Sequence, residues 1–245
     1  MDPSIHRGNY LNLIEIVTGE FMIKALALDI DGTITDKNRR GCISAINTIY
    51  QVEELGIPVI ITTGNILCFT NALSIFLATS GGVVAENGGV IESNGFKKVL
   101  GNFEVCLDAY NHLKSELPVE KVQNSHLRIS EIAITRKFPV HTIKEILQDF
   151  DVRVYDSKFA IHITDPSVSK GSSVIKVAEN INVKSDEILA IGDSENDIEF
   201  LQAVGVKVAV SNADQELKDI ADYVTTQPHG DGVKEAVEKY IPGIT

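Results

Sequence analysis

The chain has 245 residues, enough for one large domain or for a core with a smaller insertion, and its 44% apolar and 23% charged residues are ordinary for a soluble globular protein. A formal charge of -12 excludes a general nucleic-acid or anionic-membrane binder, because both need a basic face; an anionic small molecule stays allowed where a local cation overrides the field. Cys42, Cys68 and Cys106 are widely spaced and odd in number, which matches neither a disulfide framework nor a zinc site and reads as buried free thiols in a reducing compartment.

In chain order, residues 1–21 precede the first strand signal and read as an N-terminal extension, with a docking helix around Tyr10–Val17 as the other option. They lack the basic start and long apolar block of a secretion signal, and no run reaches membrane-span length, so a cytoplasmic protein is expected. From Met22 onward, apolar runs alternate with helical patterns. Ile23–Leu28, Ile57–Thr62, Val83–Ala85, Ile188–Gly192 and Val206–Val210 are apolar on both faces, as parallel strands covered by helices should be. Helices are expected over Ile43–Leu55, Ile66–Ala78, Ser172–Glu179, Asp197–Ala203 and Gly232–Tyr240. The alternation predicts an α/β fold: a doubly wound, mostly parallel Rossmann-like sheet.

The middle of the chain has another rhythm. Asn94-Gly95 between two short β-like runs signals a hairpin. A helix at Glu104–Leu117, a strand at Glu131–Thr135, a helix at Val140–Phe150 and strands at Val152–Tyr155 and Phe159–Ile163 follow. This reads as a smaller α+β unit over residues 88–164, inserted in a core formed by 22–87 and 165–245.

Polar groups gather where strands end. "LDIDGT" sets Asp29 and Asp31 two positions apart, so that in an extended chain both would project to one side, beyond the carboxyl end of a strand where open parallel sheets bind ligands. An Asx turn would explain that pair alone. "IGDSENDIEF" repeats the arrangement with Asp193 and Asp197, where an acidic helix start would also serve. Four converging carboxylates repel one another unless a cation sits among them, and oxygen donors without His or Cys point to Mg²⁺. "VIITTGN" places Thr63 and Gly64 after the second strand, where a hydroxyl and the amides of a helix start suit a phosphate oxygen; an ordinary N-cap is the plainer reading. Lys170 falls at a helix start, where a cation opposes the dipole, and this misfit tilts the reading towards a phosphate ligand.

Asp29-x-Asp31-Gly32-Thr33, Thr63, Lys170 and Gly192-Asp193-x-x-Asn196-Asp197 together resemble the four ordered motifs of the haloacid dehalogenase superfamily of phosphatases, over essentially the whole chain from Met22. The insertion resembles the α+β cap of the Cof-like, type II-capped branch, and "TTGN", "ENGG" and "IGDSENDIEF" look most similar to archaeal phosphoglycolate phosphatases. Asn65 stands where many members of the branch have Arg. The resemblance implies Asp29 as nucleophile and Asp31 as general acid/base. It implies Mg²⁺ held by Asp29, the backbone carbonyl of Asp31 and Asp193, with Asp197 either on the metal or one contact behind it, and Thr63, Gly64, Lys170 and Asn196 on a small anionic phosphate ester, 2-phosphoglycolate first and a sugar phosphate second. A phosphomutase would share the aspartyl-phosphate, and a homodimer is one assembly open to such a chain. Glu86 and Asn87 read as a turn or hinge between core and cap, with a substrate contact as the other option. Arg128 could grip a substrate carboxylate, although as a lone surface arginine it needs no such role. His126 and His162 lack a second ligand at metal spacing. A receiver domain would share Asp, Thr, Lys and Mg²⁺ but leaves Asp193, Asp197 and the insertion unexplained.

Overall fold

The computed structural model describes residues 22–244. The readings made for residues 1–21 lie outside that range. Five strands form its parallel part: β1 (Ala25–Asp29), β2 (Val59–Thr62), β3 (Gly82–Ala85), β9 (Ile188–Gly192) and β10 (Val206–Ala209). Their order is β10-β9-β1-β2-β3, so the chain winds outward in both directions from β1. A short strand, β11 (Tyr223–Val224), adds in parallel beside β10. Every residue of β1 and β9 is buried, which is why their sequences show no alternation. The reversal of winding at β1 opens the crevice in which doubly wound sheets bind ligands. In register, Asp29 lies beside Thr62 and Leu28 beside Ile191, so the loops carrying Asp31, Thr63 and Asp193 leave the sheet side by side.

Helices cover the sheet. The helix α1 (Ile43–Glu54) packs against the last helix, His229–Tyr240, while α2 (Leu67–Phe76) lies on β3. On the return to the core, Lys170–Asn180 packs against the short helix Ile198–Gln202. One apolar cluster, including Leu26, Leu28, Ile60, Ile61, Ile191 and Phe200, joins these layers. Among the described residues, no helix is long and apolar enough to cross a membrane.

The expected domain boundary at residue 88 is corrected. The hairpin β4 (Val90–Ser93) and β5 (Phe96–Val99) turns at Asn94-Gly95 as anticipated, with both residues at positive φ. It pairs with β3 and extends the core sheet, and Val90 and Ile91 join the main apolar cluster. A hairpin signal is local; it does not say which sheet the hairpin joins. The separate unit begins after it, with α3 (Phe103–Glu116), β6 (Glu131–Ile134), α4 (Val140–Ile146), β7 (Arg153–Asp156) and β8 (Ile161–Thr164). Its three-stranded antiparallel sheet, ordered β6-β8-β7, has its own apolar cluster around Cys106, Leu113, Ile132 and Ile163. Burial among those residues pushes the Cys106 thiol up to about 12, so it is a packing group.

The remaining core helices are α5 (Lys170–Asn180), α6 (Ile198–Gln202), α7 (Gln215–Ile220) and α8 (His229–Tyr240).

Candidate active site

The strand β1 stops at Asp29, and residues 30–34 form one wide turn with Gly32 at φ 93°. The extended geometry expected through Asp31 therefore does not hold. The turn still brings Asp29 and Asp31 to the wall of the same cavity. Gly32 is required twice over, by its backbone conformation and because a Cβ there would lie 2.3 Å from an Asp193 oxygen.

Asp29, Asp193 and Asp197 converge, each offering a carboxylate oxygen within 4.8 Å of the others, and all three are buried. Lys170 opens α5, with Ser169 as N-cap, and its Nζ donates to Asp29 Oδ1 at 2.6 Å and to Asp197 Oδ1 at 2.7 Å. The lysine that gains nothing from its helix gains two carboxylates. Burial favours the neutral Lys170 amine, but Asp197 and Asp29 outweigh it and hold the ammonium above the ordinary lysine range. Asp197 Oδ2 accepts the Asp193 and Ser194 amides at 3.0 and 3.2 Å, which fixes the loop after β9. Burial and the Asp197 charge raise Asp29 well above the usual carboxylate range, and the same two causes push Asp193 up to about 7.

One buried ammonium does not balance three buried carboxylates. Asp193 Oδ1 is buried with no hydrogen-bond partner, and the half-exposed Lys158 ammonium stands 3.6 Å from its other oxygen. An all-oxygen donor set with an unsatisfied atom fits a hard divalent cation such as Mg²⁺. The Asp31 carboxylate stands outside this cluster. It receives Asn65 Nδ2 at 2.7 Å and Arg39 Nε at 2.8 Å.

Thr63 is buried at the end of β2, and its Oγ1 accepts the backbone amide and the side-chain Nδ2 of Asn65 at 3.1 and 2.9 Å. With its lone pairs engaged, the hydroxyl has its own proton to give. The expected helix start at Gly64 is corrected: α2 begins at Leu67, and Gly64 lies in the loop before it, with a Cβ there meeting Asn87 at 3.0 Å. The Thr-Gly-Asn loop lines the cavity, with Ile66 and Phe69 at the start of α2 beside it.

The insertion closes the other side. Glu131 at the start of β6 is buried and accepts from Arg128 Nη1, from His162 Nδ1 at 2.8 Å and from Asn87 Nδ2 at 2.8 Å. Arg128 Nη1 also donates to the Gly64 carbonyl at 2.9 Å. The alternative of a lone surface arginine is thus corrected, since Arg128 is buried between the two units with its charge met by Glu131. Asn87 passes the chain on, accepting from Asn196 Nδ2 at 3.0 Å, while Glu86 accepts from Ser130 Oγ at 2.6 Å and from the Ile129 and Ser130 amides. Glu86 and Asn87 both hold positive φ, and the strained "ENGG" turn is the part of the core on which the insertion rests, while the chain itself crosses after β5 and after β8. Arg39, Glu131 and the partners of His162 escaped sequence reasoning; the one available signal was the basic pair Arg39-Arg40 just beyond the first acidic motif.

Burial works against the Glu131 charge, yet His162 and Arg128 hold its carboxyl below the usual glutamate range. A depressed carboxyl contributes stability that is complete above its unfolded value and is lost as pH falls through the folded value. Glu131→Ala, which strands Arg128 and His162, is expected to cost about 3–5 kcal/mol in urea unfolding at pH 7. The deficit should shrink on acidification below about pH 4.5, where the wild type loses the same term.

A cavity of about 370 Å³ lies between the units, lined by Asp29, Asp31, Arg39, Thr63, Arg128 and His162 among others. A family model for haloacid dehalogenase-like hydrolases matches residues 26–138 and 101–237. A phosphoglycolate phosphatase of Methanothermobacter thermautotrophicus is 55% identical over 219 residues, covering 89% of this chain and 99% of that one. One of Methanobrevibacter smithii is 42% identical over 232 residues with the same coverage. Among solved structures, protein 0175 of Thermoplasma acidophilum superposes with a TM-score of 0.83 at 26% identity, over 89% of this chain and 98% of that one. A haloalkanoate-superfamily phosphatase of Bacteroides thetaiotaomicron, at 21% identity over 91% and 97% of the two chains, shares the fold with a TM-score of 0.75.

Proposed function

Because the chain belongs to the haloacid dehalogenase-like hydrolases and is a phosphoric monoester hydrolase of that family, we propose that it is a Mg²⁺-dependent phosphatase acting on 2-phosphoglycolate through an aspartyl-phosphate at Asp29. The observation that carries the chemistry is the division of labour between the two aspartates. Asp29 is buried against Lys170 and the carboxylate cluster, while Asp31 lies apart from that cluster on the same cavity. The substrate rests on the curated relatives named for that ester.

An Asp29 oxygen attacks phosphorus in line as the ester P–O bond breaks, and Asp31 gives its proton to the departing alkoxide. Asp31 then takes a proton from the water that attacks the aspartyl-phosphate, releasing phosphate and restoring Asp29. Thr63, Gly64 and Lys170 hold the phosphoryl oxygens, an electrostatic task in a buried site. Asn196 positions this edge of the site through Asn87. Mg²⁺, held by Asp29, the Asp31 backbone carbonyl and Asp193, with Asp197 orienting Lys170 and the loop after β9, would neutralise charge on the transferring group. The insertion, joined to the core through residues 100–102 and 165–169 and resting on Glu86 and Asn87, closes over the substrate and excludes bulk water. The free cysteines suit a cytoplasmic setting.

The test is phosphate release from 2-phosphoglycolate beside sugar phosphates and an aryl phosphate, with Mg²⁺ and with chelator. The expected result is a Mg²⁺-dependent preference of at least tenfold in kcat/KM for phosphoglycolate. A flat or sugar-biased profile would move the substrate to the sugar-phosphate branch, and formation of an isomer instead of phosphate would make the protein a mutase.

A further inference from the structure

Arg39 is a cation of the cavity wall that the mechanism above leaves unused. Its loop is tightly held: Asp36 Oδ1 accepts the Asn38 and Arg40 amides at 2.8 and 3.0 Å, and the Asp36 amide donates to the Arg40 carbonyl at 2.9 Å. Within that loop Arg39 adopts φ 62°, a left-handed conformation that L-residues occupy at a cost. The side chain is 46% exposed, yet it is fixed on three sides. Nε donates to Asp31 at 2.8 Å, Nη2 to Asn65 Oδ1 at 3.2 Å, and the guanidinium lies 4.9 Å from the ring centroid of Phe159, which the insertion supplies. Its Nη1 makes no hydrogen bond among the described residues, although five N–H groups make arginine the best side chain for gripping a carboxylate with two parallel bonds.

The other cations near the cavity are already ion-paired, although Arg128 keeps a buried Nε without a hydrogen-bond partner among the described residues. Lys170 is buried between Asp29 and Asp197, Arg128 between Glu131 and the Gly64 carbonyl, and Lys158 lies 2.9 Å from Asp214. Position separates them further. Arg128 is tied to the Thr63-Gly64 loop, on the phosphoryl side, whereas Arg39 is tied to Asp31. A residue that protonates the departing oxygen has the leaving group beside it, so its ion-pair partner faces that group as well.

We infer that Arg39 is the specificity-determining residue for the leaving group, and that its guanidinium, stacked on Phe159, binds a carboxylate carried by that group. The inference rests on the phosphatase reading above but not on phosphoglycolate in particular: the ligand class is a small phosphate ester with a carboxylate beyond the ester oxygen. It transfers the carboxylate contact considered for Arg128 to Arg39. Phe159 makes the contact depend on the insertion being in place, since one guanidinium face is covered by it.

The experiment compares kcat/KM for 2-phosphoglycolate, 2-phospholactate, 3-phosphoglycerate and ethyl phosphate, with Mg²⁺, in the wild-type chain, Arg39→Gln and Arg39→Lys. The preference for the best carboxylate ester over ethyl phosphate should fall about 30–100-fold in Arg39→Gln, chiefly through KM, as expected for loss of a charge-assisted contact in a partly buried site. Arg39→Lys should recover part of it, and Phe159→Leu should lower the same ratio by a smaller factor. An unchanged ratio in Arg39→Gln overturns the inference, as does an equal loss on all four esters, which would make Arg39 a support for Asp31 only. Arg39-dependent preference for a carboxylate ester other than phosphoglycolate upholds the inference and overturns the substrate reading. Preference for phosphoglycolate that survives Arg39→Gln does the reverse. A wild type indifferent to the carboxylate overturns both.

Discussion

Asp29→Asn is expected to lower phosphate release by at least about 10⁴-fold, because the amide nitrogen and oxygen cannot form the acyl-phosphate that carries the reaction. The same change should leave the fold intact. Asp29 is buried beside Asp193 and Asp197, and burial with the Asp197 charge already lifts its carboxyl far above the usual range. Removing one of three buried negative charges relieves repulsion, at the expense of one partner of Lys170. Urea unfolding in chelator should therefore place the variant at or above the wild-type midpoint. A large activity loss without a stability loss separates a missing nucleophile from a damaged structure. Mass spectrometry of the variant guards against deamidation back to Asp29.

The opposite pairing of effects is expected at Lys170. Lys170→Met preserves bulk in a residue only 2% exposed but removes the one buried cation shared by Asp29 and Asp197. Leaving these carboxylates without it should cost about 3–5 kcal/mol in chelator at pH 8. Activity should fall about 10³-fold with the lost phosphoryl contact. The stability deficit has a predictable pH course. The Asp193 carboxyl, raised to about 7 by burial and Asp197, binds its proton more tightly in the folded chain than in the unfolded one. Such a group favours the fold at low pH, and that contribution is lost as pH rises through the folded value. Without the lysine, the neighbouring carboxylates lean more on their protons. The deficit should then grow between pH 6 and pH 8, and Mg²⁺ should reduce it by adding positive charge at the cluster. Urea midpoints at the two pH values, with chelator and with Mg²⁺, measure all of this. A deficit independent of both pH and Mg²⁺ would mean that Lys170 serves packing alone.

The core was legible because its signals are one-dimensional. β1, β2 and β9 are continuous apolar runs that end on or just before polar residues, and a parallel sheet brings such ends together whatever the loops do. Asp29, Thr63, Asp193 and Asp197 could be singled out for that reason, and Lys170 for its misfit at a helix start. What the sequence did not display depends on contacts across long separations. The hairpin at Val90–Val99 carries the same turn signal whether it joins β3 or the insertion's sheet, and only its pairing with β3 decides. Glu131 read only as the start of a strand because its partners, Arg128 apart, lie 31 residues away at His162 and 44 away at Asn87. Arg39 gave little sign of its place, since a basic residue in a turn is usually solvated. The strand–turn change at Asp29 was hidden as well: a period-two pattern cannot reveal that the chain leaves extended geometry one residue later.

The most direct test of the account is to trap the covalent step. Enzyme turning over 2-phosphoglycolate, or whichever ester it cleaves fastest, is quenched in acid and reduced with borohydride, which converts an aspartyl-phosphate to homoserine. Peptide mass mapping should then find homoserine at position 29 and aspartate at 31, 193 and 197. Homoserine at another of these positions, or Asp29 unmodified while another residue carries the phosphoryl group, would contradict the assignment of Asp29 as the nucleophile.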